Sequence, residues 1–299
     1  MTLRDLLLAL LVILVWGANF VVIKAGVAEV PPLLLGALRF TAAAFPAVLL
    51  FRRPALPLRL YLAYGLTISV GQFAFLFSAI HIGMPSGLAS LVLQSQAFFT
   101  MVFAAFWLRE RWQAPQVAGL LLAGCGLALI GSAHGVSMPL AGFLLTLLAA
   151  TMWAAGNIVT REIGHSARGR PVDMQALVVW ASLVPPLPFL LLSLLIEGPA
   201  QITSALAQFS LRSAAAVAYL AWAATLLGYG IWSRLLARYP ANQVAPFSLL
   251  VPVVGLAAGW MVYGEALQPV HFGGGLLLMA GLAINLFGAK LIACWRRSA

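Results

Sequence analysis

Residues 110–128 read ERWQAPQVAGLLLAGCGLA, and residues 265–283 read EALQPVHFGGGLLLMAGLA. Laid side by side without a gap, they share Glu110/Glu265, Gln113/Gln268, Gly119/Gly274, Leu121/Leu276, Leu122/Leu277, Gly126/Gly281, Leu127/Leu282 and Ala128/Ala283. Leucine and glycine recur in any apolar helix, so part of the match is composition. Paired glutamates and glutamines at one spacing are not explained that way. A second match sets Trp16 on Trp153 and Lys24 on Arg161, with an asparagine nearby in each half, Asn19 and Asn157. Outward from these stretches the chain reads as a single membrane domain, residues 1–299, made of two related halves, 1–132 and 138–299.

Composition agrees. A soluble domain carries about a quarter charged residues; here 8% are charged, 63% are hydrophobic, and mean hydropathy is +1.02. That balance excludes a water-soluble enzyme. A membrane helix needs about 20 mostly apolar residues. Ten runs qualify, near 6–25, 33–51, 61–82, 86–108, 115–132, 139–160, 175–196, 213–233, 242–263 and 270–291. The expected fold is an all-α polytopic membrane protein. Each half holds five helices, an odd number, so the second half crosses in the opposite sense. Ten transmembrane helices in two inverted five-helix repeats are an arrangement of secondary transporters, with substrate held near the midplane.

The net charge of +10 is an orientation signal. The basic residues stand singly or in pairs between apolar runs, without the stripe that nucleic acid requires. With the N-terminus in the cytoplasm, 14 of the 17 Lys and Arg fall inside, among them Arg52, Arg53, Arg109, Arg168, Arg170, Arg234 and Arg296. Lys24, Arg39 and Arg212 fall in the outer half. Both termini are therefore expected inside. The first apolar run is too long for a cleavable signal peptide and lacks an A-x-A site. Cys125 and Cys294 lie in different segments, so no disulfide framework is expected.

Polar groups inside a bilayer are costly unless paired or hydrated, which makes each a functional candidate beside the alternative of helix–helix packing. Trp16, Phe20 and Lys24 share a face of helix 1 at steps of four; Trp153, Asn157 and Arg161 repeat the pattern in helix 6. Trp16, Asn19, Trp153 and Asn157 are read as lining a central pathway. Lys24 stands between that role and snorkelling to the interface. Arg39, several residues into helix 2, either binds a substrate carboxylate or serves the helix end. Gln72 in helix 3 and Gln94 in helix 4 are midmembrane amides suited to a zwitterion. Gln96 points about 200° from Gln94 at the helical period, so at most one of the two is expected to face the cavity. In helix 8, Tyr219, Trp222, Thr225 and Tyr229 step by 3, 3 and 4 along one face, and Trp222 and Tyr229 are taken as substrate contacts. Ser248 in helix 9 lies between Pro246 and Pro252, read as gating positions because proline frees backbone carbonyls.

The sequence has no G-x-x-x-x-G-K-[ST] and no H-E-x-x-H, Cys/His cluster or G-x-S-x-G. No ATP motor, cofactor or metal is expected. An intramembrane enzyme is the competing class, and it lacks a nucleophile–base pair. All seven acids lie at or beyond helix ends, which argues against a midmembrane carboxylate relay. The expected partners are a small-molecule substrate and the bilayer.

The stretches LLVILVWGANFVVIKAG (10–26), ALRFTAAAFPA (37–47), WLRERWQ (107–113) and MVYGEALQ (261–268) resemble the EamA family of the drug/metabolite transporter superfamily. YGLTISVGQFAFLFSAIHIGMPSGLASLVLQSQAFFT (64–100), GYGIWSRLLARY (228–239) and VAPFSLLVPVVGLA (244–257) are similar to its O-acetylserine/cysteine exporter branch. The resemblance covers the whole chain. It implies alternating-access export of amino-acid metabolites across a bacterial inner membrane. It also implies a cavity among helices 1, 3, 4, 6, 8 and 9. A broader exporter of amphipathic or aromatic compounds is the runner-up. One departure is Gln96, which stands near a position where the family often has proline; the counterpart region in helix 9 keeps Pro252.

Overall fold

The computed structural model describes residues 1–133, 138–166 and 172–298, except for the side chains of Ala241, Asn242 and 289–298. Arg168 and Arg170 lie outside the described residues, as do the side chains of Lys290, Cys294, Arg296 and Arg297. Ten helices among the described residues are long and apolar enough to cross a membrane. They are α1 Leu3–Val27, α2 Pro32–Leu49, α3 Leu58–His81, α4 Ser86–Trp107, α5 Ala114–Ser132, α6 Leu140–Ser166, α7 Met174–Glu197, α8 Leu211–Arg238, α9 Ala245–Tyr263 and α10 Pro269–Gly288. Each overlaps one of the ten expected runs. A further short helix, Pro199–Ala207, fills the connection between α7 and α8.

Local chemistry sets several ends. Thr2 caps α1 by accepting from the Asp5 N–H. Asp173 caps α7 through the N–H groups of Gln175 and Ala176. Proline opens α2, and the Glu197 carboxylate accepts from Leu33 N (2.7 Å) and Leu34 N (3.2 Å). These satisfy N–H groups that a helix start leaves unpaired.

Lipid removes the hydrophobic drive between helices, so close packing must hold them. On α1, Leu3, Leu7, Leu10 and Leu14 point outward, while Ala9, Val12, Ile13 and Phe20 are buried. Phe40, Phe73, Phe77 and Phe189 form an aromatic centre, with Phe40 stacked on Phe189 at 6.0 Å. The tightest seam joins α5 to α10. A Cβ on Gly126 would lie 2.5 Å from the Gly274 carbonyl, and one on Gly119 2.6 Å from that of Gly281. The order of these contacts makes the two helices antiparallel.

Three helices lose regular winding along their length and a fourth, α9, over its first six residues. Gly65–Gly71 of α3 and Tyr219–Leu227 of α8 are π-helical. Leu93–Ser95 of α4 and Ala245–Leu250 of α9 are 3-10. Such segments are uncommon inside helices and collect at functional sites.

Candidate functional site

A cavity of about 950 Å³ occupies the middle of the bundle. Its wall draws on α1, α3, α4, α6, α8 and α9, together with Arg39 of α2 and the start of α7. It runs from mid-bundle to the end marked by Phe51, Asp173 and Arg234, and does not reach Lys24 or Glu265 at the opposite end.

Of the candidate residues, Trp16, Asn19, Arg39, Gln72, Gln94, Trp153, Asn157, Tyr229 and Ser248 all line this one space. Trp16 is fixed by its indole N–H, which donates to Ala224 O at 3.0 Å, in the π-helical stretch of α8. Its ring lies 5.3 Å from both Tyr229 and Trp232, which builds an aromatic wall. Gln94 Nε2 donates to Ser248 O at 3.2 Å. That carbonyl is the one whose helical donor would be residue 252, and Pro252 has no N–H to give. In the 3-10 winding the Ser248 carbonyl accepts instead from the Val251 N–H, and its second lone pair takes the Gln94 bond that ties α4 to α9.

Arg39, like Gln72, is only 2% exposed. Its guanidinium lies 3.9 Å from the Phe73 ring centroid, and Nη2 donates to Thr225 Oγ1 at 3.0 Å. Its Nε and Nη1 have no hydrogen-bond partner among the described residues. Asn19 Oδ1 and Gln72 Oε1 are likewise buried without a donor. Each such group costs about 1–3 kcal/mol, more for a charge, unless something satisfies it. Three residues of the cavity wall thus carry unsatisfied polar atoms, which lie just beneath its accessible surface.

Several expectations are corrected. Both Gln94 and Gln96 line the cavity. The 3-10 turn between them rewinds α4, so a regular helical period does not separate them. Gln96 Oε1 accepts from Asn157 Nδ2 at 2.7 Å, and Thr100 Oγ1 accepts from it at 3.0 Å. The aromatic stripe of α8 breaks up because its π-helical winding changes the residue period. Tyr219 OH donates to Val15 O, Thr225 meets Arg39, and Trp222 turns outward, 53% exposed, with its N–H on Ala42 O. Trp222 is not a cavity residue. Neither is Lys24, which pairs with Glu265 at 2.6 Å. Pro246 and Pro252 lie behind the wall, not in it. Arg161, at the end of α6, meets Glu110 at 2.6 Å, with both side chains exposed.

Sequence reasoning missed Tyr64, Phe73, Gln175 and Trp232 in the wall. Phe73 adjoins Gln72, and the Asp173 cap marks where Gln175 begins a helix. Tyr64 and Trp232 carried no distinguishing signal.

A family model described as the EamA-like transporter family matches the chain twice, over residues 3–132 and 140–287. A "Probable amino-acid metabolite efflux pump" of Salmonella typhimurium is 54% identical over 294 residues, covering 97% of each chain. A protein of the same description from Escherichia coli is 49% identical over 301 residues, covering 100% of this chain and 98% of the other. One crystal structure shares the fold with TM-score 0.64 at 20% identity, covering 98% of this chain and 99% of that one. Ten apolar helices around one polar-walled cavity, and a family model that matches each half, lead to one assignment: this multi-pass membrane chain belongs to the EamA-like transporter family.

Proposed function

We propose that the protein exports small amino-acid metabolites, zwitterions such as cysteine or O-acetylserine, across a bacterial inner membrane by alternating access. The observation that carries this reading is Arg39, a buried guanidinium of the cavity wall whose Nε and Nη1 have no partner among the described residues. A substrate carboxylate is the planar anion that such a fork binds best. The ammonium group then falls to the unsatisfied oxygens of Asn19 and Gln72, and the side chain to Trp16, Trp153 and Tyr229. Asn157, Gln94 and Ser248 hold the wall in register. Pro246 and Pro252, which interrupt the regular helical bonding of α9, act as gating positions. The two halves, 1–132 and 138–299, act as inverted repeats, with both termini cytoplasmic and the cavity open inward. The similarity to relatives described as amino-acid metabolite efflux pumps supports the direction and the substrate class.

Proteoliposome uptake tests this directly, scanning cysteine, O-acetylserine, glutamine, threonine and aromatic amino acids with and without a pH gradient. Saturable flux of cysteine or O-acetylserine with trans-stimulation is expected. Absence of flux for every zwitterion would overturn it. The Trp16–Tyr229–Trp232 wall favours one other reading, an exporter of amphipathic or aromatic compounds. Failure of cysteine to compete with such a compound would select it.

A further inference from the structure

The two glutamates that begin the matched stretches are each held by the opposite half of the chain. Glu265 Oε1 lies 2.6 Å from Lys24 Nζ. Its carboxylate also accepts from the N–H groups of Ser86 and Gly87, at 2.9 Å each, and from Ser86 Oγ at 3.0 Å. Glu110 Oε1 accepts from Arg161 Nη1 at 2.6 Å. Glu110 corresponds to Glu265 in the sequence match, and Lys24 to Arg161. Each half thus lends its basic residue to the acid of the other.

The chain enters both glutamates in the same way. Arg109 and Gly264 take left-handed conformations, at φ 56° and 64°. The next N–H then reaches back 3.3 Å to Ala104 O in one case and to Gly259 O in the other. This is the helix-ending turn that glycine enters easily; at Arg109 it is entered against the preference of an L-residue.

The pairs differ in solvation. Lys24–Glu265 stands at the end where the cavity is shut, and its carboxylate is 13% exposed. Arg161–Glu110 stands at the open end, 44% and 52% exposed. We propose that these are alternating latches. Glu265, tied to Lys24 and to the start of α4, shuts the outer end in this inward-open state. Glu110 does the same for the inner end in the outward-open state, closing on the segment that leads into α9. The latches rest on the alternating access of the export reading, and the words inner and outer on the orientation given there. Labelling needs no substrate, so failure of the latches and failure of the substrate assignment are distinguishable.

The test places one cysteine at Ala224, a buried cavity position, in a chain carrying C125A and C294A. Right-side-out vesicles receive a membrane-impermeant maleimide. Labelling of the parent is slow. Glu265→Gln is expected to speed it about tenfold, and Glu110→Gln to slow it further, because the two substitutions move one two-state equilibrium in opposite directions. Lys24→Met, which leaves the N–H bonds to Glu265, is expected to give a smaller increase and stands in if Glu265→Gln does not reach the membrane. Labelling from inside-out vesicles checks that the cavity is intact. Unchanged labelling in both glutamate variants, or a shift of both in the same direction, overturns the proposal.

Discussion

The guanidinium of Arg39 lies 3.9 Å from the centroid of the Phe73 ring. The ring face supports the cation, a contact worth about 2 kcal/mol when desolvated, yet leaves Nε and Nη1 unused. Arg39→Gln should lower cysteine flux by about 10- to 100-fold, the value of a charged hydrogen bond. Arg39→Lys keeps the charge without the fork and should fall between. Flux assays with cysteine and with its decarboxylated amine check this. An equal loss for both compounds would contradict carboxylate binding.

Asn157 joins α6 to α4 through Gln96 and Thr100. Asn157→Ala and Gln94→Ala should each impair transport while the protein still inserts. The stability cost is small, about 0.6 kcal/mol for an interhelical hydrogen bond in a membrane. Uptake combined with thermal unfolding in detergent separates the two effects. Normal export by both variants would mean that the cavity wall is not the site.

The α5–α10 seam should tolerate no side chain at its crossing points. Gly126→Val places carbon against backbone that cannot yield, so a loss of at least about 1–3 kcal/mol is expected from overpacking. Gly124, on the same helix, has nothing within 4 Å of an added Cβ. Gly124→Ala should be neutral or stabilising by up to about 1 kcal/mol. Unfolding temperatures of the two variants in detergent check the contrast.

Burial works to raise the Glu265 carboxyl, but the Gly87 N–H, Lys24 and the Ser86 N–H outweigh it and hold it below its usual value of 4.5. A carboxyl depressed in the folded state contributes stability that is complete above its ordinary pKa and is lost only as pH falls through the depressed one. The outer closure should therefore be flat between pH 5.5 and 8, roughly, since that window lies above both values. Maleimide labelling of the Ala224 cysteine across that range checks it, after correction for thiol reactivity. A rise in outside labelling near pH 6 would show that another group governs the closure.

Much of this was legible in the sequence. Run length alone gave ten spans, because twenty apolar residues have few other homes. Trp16, Asn19, Gln72 and Asn157 were found because polar groups inside such runs demand a reason. Two of the errors share one cause. Trp222 and Gln96 were placed by extending a 3.6-residue period through stretches wound as π or 3-10 helix, and no residue type announces that winding. The partners of Lys24 and Arg161 were not visible in the sequence because they lie 241 and 51 residues away. The same alignment had already paired their types; only the exchange between halves lay beyond it.

The irregular windings have a mechanical consequence. Ile68, Gln94, Ala224 and Ser248, one from each rewound segment, all face the cavity. A continuous ladder of hydrogen bonds passes a tilt along the whole rod; a rewound turn interrupts it. The four walls are therefore softest at the level where a ligand would sit, as an hourglass narrows at its waist. Under the alternating-access proposal the upper and lower cones would lean separately at that level, about the close-packed, glycine-lined α5–α10 pair.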